Sequence, residues 1–465
     1  MVVFHDLINE KYHGGFFMKV TQYFTDAEHS CLARPVFPAV EMGGAVYLEV
    51  AKEPLPRTFE GFGVAITGSS CYNLFLMEQE ERTAFLKSIY SSEGLGLTIG
   101  RLSVGSSDYS AELYSYDDVE GDVDLKYFSV ERDEAYIIPM IQEILAINPD
   151  LKLFASPWSP PGWMKTGGNM CGGYMREEYL ECYAEYYLRF LQEYDKRGIH
   201  ISALTPQNEP ETQQRGRMPA CQWHPELEAK FIAILRRKLD EAGMQVDIWM
   251  LDHSFDHWNR VLWSLDTYPQ LQTQCKGVAF HYYSHGIEDT ARLQKAYPQM
   301  EYHFTEAGPR LYDHYDTDWC KWVTMMVKVL SCGYSTFTGW NLMLDETGGP
   351  NIGPFFCGGL VTRNTMDGTL SYSGQYKAFQ QISHFVCTGA KVYPVQVIFD
   401  APMIHQYPKV GEPIEAVMAE NPDGTRVLLL ANHNDTKRQA QIFLDGQWWY
   451  MELLPDSVST VVFEK

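Results

Sequence analysis

REEYLECYAEYYLRFLQEYDKRGIHISALTPQNEP, residues 176–210, holds one complete helix-then-strand unit. Tyr179, Tyr183 and Tyr187 recur every four residues beside Leu180, Ala184, Leu188 and Leu191. That spacing makes one broad apolar helical face over about Arg176 to Arg197. Gly198 supplies the stop that a helix C-terminus favours. The run from Ile201 to Gln207 then reads as a buried strand, and it ends on two polar residues, Asn208 and Glu209.

The same unit recurs on both sides. Strand-like segments occur at Gly61–Thr67, Leu97–Val104, Leu151–Ser156, Ile201–Gln207, Gln245–Leu251, Gly277–Tyr282, Glu301–Thr305 and Ser335–Asn341. Helical periodicity lies between them. One helix starts at Pro225, a residue suited to a first helical position, and ends at Gly243; another covers about Asp316 to Leu330. Parallel strands need crossover helices, so eight such units point to a closed (β/α)₈ TIM barrel, an α/β fold. An open doubly wound sheet is the alternative.

From about Lys391 the pattern changes to short β-rich runs, Val427–Ala431, Gln439–Leu444 and Ser459–Phe463. Asp423-Gly424 and Asp445-Gly446 mark turns between them. The segment from Lys19 to Leu48 is also strand-like. We therefore expect a side β-sandwich domain formed by both chain ends, residues 18–58 and 391–465, around a barrel of residues 59–390. Residues 1–17 read as an N-terminal extension.

Composition narrows the function. The 465 residues carry a net charge of −23, which disfavours nucleic acid and anionic membrane surfaces. No run of 18 or more apolar residues appears, so no membrane insertion is expected. The first residues lack the apolar core and cleavage site of a secretory signal. The ten cysteines form no CxxC pair and read as reduced, mostly buried thiols. A cytoplasmic location is the expectation. No metal spacing, P-loop or dinucleotide fingerprint appears, so no cofactor and no metal are expected. Aromatic residues make up 14%, which suits either a large aromatic core or stacking on sugar rings.

In such barrels the active site forms at the C-terminal ends of the strands. Glu209 ends strand four and Glu306 ends strand seven, so the two face each other across the mouth. Paired carboxylates suit glycoside hydrolysis, one protonating the leaving oxygen and the other attacking the anomeric carbon or activating water. Trp158 and Trp163 after strand three, His281, Tyr282 and Tyr283 at strand six, and Trp340 and Asn341 at strand eight are candidate aromatic and polar neighbours. A lone histidine such as His281 is more often internally satisfied than a metal ligand. Arg101, within strand two, is a candidate partner for a carboxylate.

These stretches resemble glycoside hydrolase family 30, the family of acid β-glucosidase: EGFGVAIT (60–67), IGRLSVGSSDYS (99–110), ASPWSPPGWMKT (155–166), TPQNEP (205–210), VAFHYY (278–283), FTEA (304–307) and WNLMLDETGGPN (340–351). The resemblance runs in order from Phe59 to Ala390. It implies a barrel with a side β-sandwich and a retaining β-glycosidase acting by double displacement. It implies Glu209 as acid/base, Glu306 as nucleophile, and Asn208 as a ligand of the sugar 2-hydroxyl. Trp158 and Trp340 resemble sugar-binding tryptophans, Tyr283 the tyrosine near the nucleophile, and Arg101 the arginine beneath it. His281 joins them as a substrate-binding candidate.

One position departs from the pattern. The aspartate that the family carries after the first-strand threonine is Gly68 here. The resemblance then implies a weaker hold on the sugar 4- and 6-hydroxyls, and β-xyloside or β-fucoside cleavage becomes an alternative to β-glucoside. Asp108, Asp345 and Glu346 are the candidates to replace the missing carboxylate. The expected partner is a soluble β-linked oligosaccharide or glycoside. A transglycosylase or a catalytically inactive carbohydrate-binding protein are the other readings of this scaffold. An acid that works near neutral pH should carry a raised pKa, so Glu209 is expected to be shifted upward.

Overall fold

The computed structural model describes residues 18–43, 45–398 and 414–464. The 1–17 extension lies outside them.

The eight expected strands close into one barrel in chain order. They span Gly61–Ala65, Ile99–Ser103, Lys152–Ser156, Ile201–Leu204, Asp247–Ser254, Gly277–His281, Glu301–Glu306 and Thr336–Asn341, and every neighbouring pair is parallel. Most of their residues are buried on both faces, as expected for strands covered by helices outside and filled within. Close approach sets some residue choices. A Cβ on Gly63 would collide with the Ile99 carbonyl of the neighbouring strand, so only glycine fits there.

The expected helices are present, with shifted ends. The tyrosine-rich helix spans Leu180–Asp195 after a short 3₁₀ turn at Glu177–Tyr179. Its Tyr187 hydroxyl lies 3.2 Å from the Thr205 carbonyl and 2.9 Å from that of Pro206, so it caps backbone groups that leave strand four. Pro225–Glu241 and Trp319–Ser331 are the other two.

Both chain ends join one curled, mainly antiparallel sheet beside the barrel. Lys19–Thr25 pairs with Ser457–Glu464, and Val46–Val50 pairs with Ala390–Ile398. The strand Arg426–Asn432 shows how one element serves two cores. Val427, Leu429 and Ala431 pack into the barrel-side cluster, while Leu428 and Leu430 fill the interior of the curled sheet. The period-two alternation of a strand produces that division. Trp319 and Thr324 of the last long helix bond across the seam, to the Asp456 carbonyl at 3.0 Å and to His433 Nε2 at 2.5 Å. All ten cysteines are free thiols. Among the described residues no helix is long and apolar enough to cross a membrane.

Candidate active site

The barrel interior changes character along its axis. Near the base it is filled by Ile99, Phe154, Ala203, Trp249 and Ala279. At the mouth the buried layer is polar: Arg101, Ser156, Thr205, Asp252, His281 and Thr305 are all sealed from solvent. Burying charged groups is costly unless each is paired and hydrogen-bonded. Here they are. Arg101 reaches Glu306 through Nη1, and through Nη2 both Asp252 Oδ2 and Asn208 Oδ1, each at 2.8 Å. Asp252 also accepts from Ser156 at 2.7 Å and from Thr205 and Thr305 at 2.8 Å. His281 Nε2 completes the set, 2.9 Å from Asp252 Oδ1.

Asp252 is the residue that sequence reading missed. The expected strand five stopped at Leu251, whereas the strand continues to Ser254. Its pairing register shifts between Leu251 and His253, and Leu251 and Asp252 adopt left-handed φ values of 74° and 60°. Such backbone costs about 1–3 kcal/mol per residue and persists only where surroundings over-determine it. The bulge carries the Asp252 carboxylate into the barrel. A carboxylate ending an apolar strand, as at Glu209 and Glu306, was the signal available for it.

Above this layer opens a cavity of about 360 Å³. Asp108, Trp158, Asn208, Glu209, Tyr283, Glu306 and Trp340 line it, drawn from the ends of several strands. Tyr283 donates its hydroxyl to Glu306 Oε1 at 2.8 Å. The Asn208 oxygen is taken by Arg101, so that side chain can offer the cavity only its NH₂. Trp158 and Trp340 stack on one another with centroids 5.2 Å apart, and the Arg101 guanidinium lies over both rings. Trp163 is not part of the site. Its indole donates to the Asp117 carbonyl and packs on Tyr179. Asn341 bonds to Thr67 and does not line the cavity.

Arg101 and His281 were expected to bind substrate. Neither reaches the cavity wall, because their donors are spent on Asp252, Glu306, Asn208 and Glu209. They organise the carboxylates from beneath.

Glu209 sits at a left-handed φ of 49°, its N–H donating to the Asp252 carbonyl at 2.9 Å. Its Oε1 is 3.3 Å from His281 Nδ1. Burial pushes the Glu209 pKa up, but the His281 hydrogen bond and charge, with Thr212, outweigh it and hold it below the ordinary carboxylate value. The expected upward shift is therefore reversed. Burial likewise opposes charge on His281, but Glu306, Asp252 and its hydrogen bonds raise its pKa to about 9. His253, beside Glu209, is held by burial at about 3 and stays neutral. The cation next to Glu209 near neutral pH is thus His281. Carboxylate oxygens of Glu209 and Glu306 and a ring nitrogen of His281 lie within 4.8 Å of one another, a spacing that also suits metal donors. An imidazolium with a proton on each nitrogen has no lone pair to give a metal.

Gly68 opens the helix Gly68–Phe75, is buried, and would direct a Cβ toward the Ser110 hydroxyl at 3.2 Å. It does not line the cavity, whereas Asp108 does. Among the described residues Asp108 Oδ1 is buried without a hydrogen-bond partner. Burial, then the Glu306 and Glu209 charges, push the Asp108 pKa well up. Asp345 instead caps a turn through Thr347 and Gly349, and Glu346 holds Thr365.

Comparison with known proteins agrees with this architecture. The chain is 29% identical over 396 residues to an endo-1,6-β-D-glucanase of Neurospora crassa, covering 81% of this chain and 79% of the relative. It is 25% identical over 419 residues to the lysosomal acid glucosylceramidase of Mus musculus, covering 84% and 78%. The crystal structure of SrfJ from Salmonella typhimurium superimposes with a TM-score of 0.88 at 26% identity, covering 96% of this chain and all of that one. Residues 59–386 match the Glycosyl hydrolase family 30 TIM-barrel domain, and this chain, a glycoside hydrolase, belongs to that family.

Proposed function

We propose that this protein hydrolyses β-glucosidic bonds with retention of configuration, Glu306 acting as nucleophile and Glu209 as acid/base. The observation that carries the reading is that one carboxylate oxygen of Glu209 and one of Glu306 lie within 4.8 Å of each other at the cavity. Retaining enzymes hold the two carboxyl groups about 5–5.5 Å apart, and inverting ones leave about 6.5–9.5 Å for a water. Arg101 and Tyr283, one on each Glu306 oxygen, fix the nucleophile and balance its charge. As Glu306 attacks, its charge passes into the ester and the sugar acquires positive character, which the buried acidic cluster favours. Asn208 faces the cavity with its NH₂ toward the sugar.

Asp108 supports glucose as the sugar. Its carboxyl lies at the cavity wall and keeps one oxygen without an internal partner, so it gains from a sugar hydroxyl that pairs with the group. The relatives named for β-1,6-glucan and glucosylceramide are consistent with a glucosyl unit in this position. Xylosides and fucosides lack the 6-hydroxyl and would use the cavity less fully. The decisive experiment is incubation with a 2-deoxy-2-fluoro-β-glucoside carrying an activated leaving group, followed by peptide mass spectrometry. A glycosyl ester on Glu306 is expected. Inverted configuration in the first-formed product sinks the assignment.

A further inference from the structure

His281 is buried in the barrel, yet three carboxylates surround it. Its Nε2 lies 2.9 Å from Asp252 and 3.9 Å from Glu306, and its Nδ1 lies 3.3 Å from Glu209. Other charged and titratable groups facing this cluster include Arg101 from strand two, which pairs with Asp252 and Glu306, His253 on strand five with its ring centroid 6.4 Å away and His257 against it, Tyr283 at 6.2 Å, and Asp108, whose carboxyl feels the Glu306 and Glu209 charges. Asp252 accepts hydrogen bonds from four other residues, so it acts as an acceptor and Nε2 carries hydrogen. Nδ1 then faces the oxygen of the acid/base itself.

A glycosidase acid must hold a proton when the leaving group departs. The geometry around Glu209 favours its ionised form. We propose that His281 stores that proton and hands it to Glu209 in the first half-reaction, an inference that rests on Glu209 being the acid/base. The proton moves from Nδ1 to Glu209 Oε1, and the carboxyl proton passes to the glycosidic oxygen. The bond from C1 to that oxygen breaks, its electron pair leaving with the aglycone, while a Glu306 oxygen forms the new bond to C1. The products are the free alcohol, the glycosyl ester and a neutral His281. Esterification removes the Glu306 charge that helped hold the proton, so proton loss and charge loss match. In the second half-reaction, water attacks C1 and gives its proton to Glu209, the ester bond breaks, and the proton returns to Nδ1.

The test uses the full protein labelled with ¹⁵N-histidine, with His281 resonances assigned by the His281→Gln variant. Spectra at neutral pH are compared before and after trapping with the fluoroglucoside. Both His281 nitrogens should be protonated in the free enzyme, and only one in the glycosyl-enzyme. A neutral His281 in the free enzyme, or an imidazolium that persists after trapping, overturns the proposal and leaves the carboxylate assignment standing. Failure to form any ester on Glu306 overturns that assignment and the proposal with it. Kinetics on His281→Gln give a second arm. Loss above a hundredfold is expected on an alkyl β-glucoside, with less than tenfold loss on a dinitrophenyl β-glucoside, which needs no acid. Equal losses on both would mark a purely positional role and overturn the proposal. If the variant does not fold, residue-specific assignment by backbone-linked NMR keeps the wild-type comparison decisive.

Discussion

Arg101 Nη2 lies 2.8 Å from Asp252 Oδ2, and both side chains are closed off from solvent beneath the Glu209 and Glu306 carboxylates. Arg101 also pairs with Glu306, so Asp252 and Glu306 are joined through one guanidinium. Asp252→Asn should disturb both. Removing one partner of a buried ion pair costs about 3–5 kcal/mol, because the other charge is left uncompensated. Urea unfolding should show that loss, accompanied by a large fall in kcat on every substrate.

Glu306→Gln keeps the size of the side chain and removes the proposed nucleophile. Turnover should fall by orders of magnitude, since the ester cannot form. The circular dichroism spectrum should match the wild type. A variant retaining more than a tenth of the activity would show that Glu306 is not the nucleophile.

Glu209→Ala separates acid catalysis from the rest of the reaction. Substrates with poor alkyl leaving groups should slow far more than activated aryl glucosides, whose departure needs no proton. Added azide should then rescue turnover by capturing the ester and giving the β-glycosyl azide. Equal slowing across leaving groups would exclude the acid role.

Asp108→Ala should lower discrimination between β-glucoside and β-xyloside. A hydrogen bond to an uncharged carboxyl group contributes about 0.5–1.5 kcal/mol, a factor of roughly 2–12 in kcat/KM. Gly68→Asp should leave the ratio unchanged, because that position faces Ser110 rather than the cavity. A rise in glucoside preference on Gly68→Asp would restore the specificity argument first drawn from sequence.

The pKa of His281, raised from 6.5 to about 9, also predicts how stability varies with pH. A base with a raised folded-state pKa contributes its full stabilisation below its unfolded value, near 6.5. That contribution, on the order of 3 kcal/mol, declines as pH rises through about 9. Urea midpoints measured at pH 6, 8 and 9.5 should fall over this range. In His281→Gln the slope should be shallower.

Much of the fold was legible because local patterns carried it. Apolar runs bounded by glycine and polar residues located all eight barrel strands, and the tyrosine spacing located the helix before strand four. Those signals arise from burial on both faces of a parallel strand and from helical periodicity, which neighbouring residues express by themselves. Glu209 and Glu306 were legible for the same reason, as acids that end apolar runs.

What the tertiary structure alone decided is the buried polar layer under them. Asp252 enters it through a bulge with left-handed backbone, which no spacing rule indicates, and His281, a substrate-binding candidate in the sequence, holds carboxylates there instead. Its charge, and the direction of the Glu209 shift, depend on distances among residues far apart in the chain. The same holds for the choice between Gly68 and Asp108, where motif position pointed to one residue and the folded loop brings the other to the cavity. Strand patterns follow from each residue's own burial, whereas pKa and cavity lining follow from through-space neighbours, and only closure of the barrel brings those together.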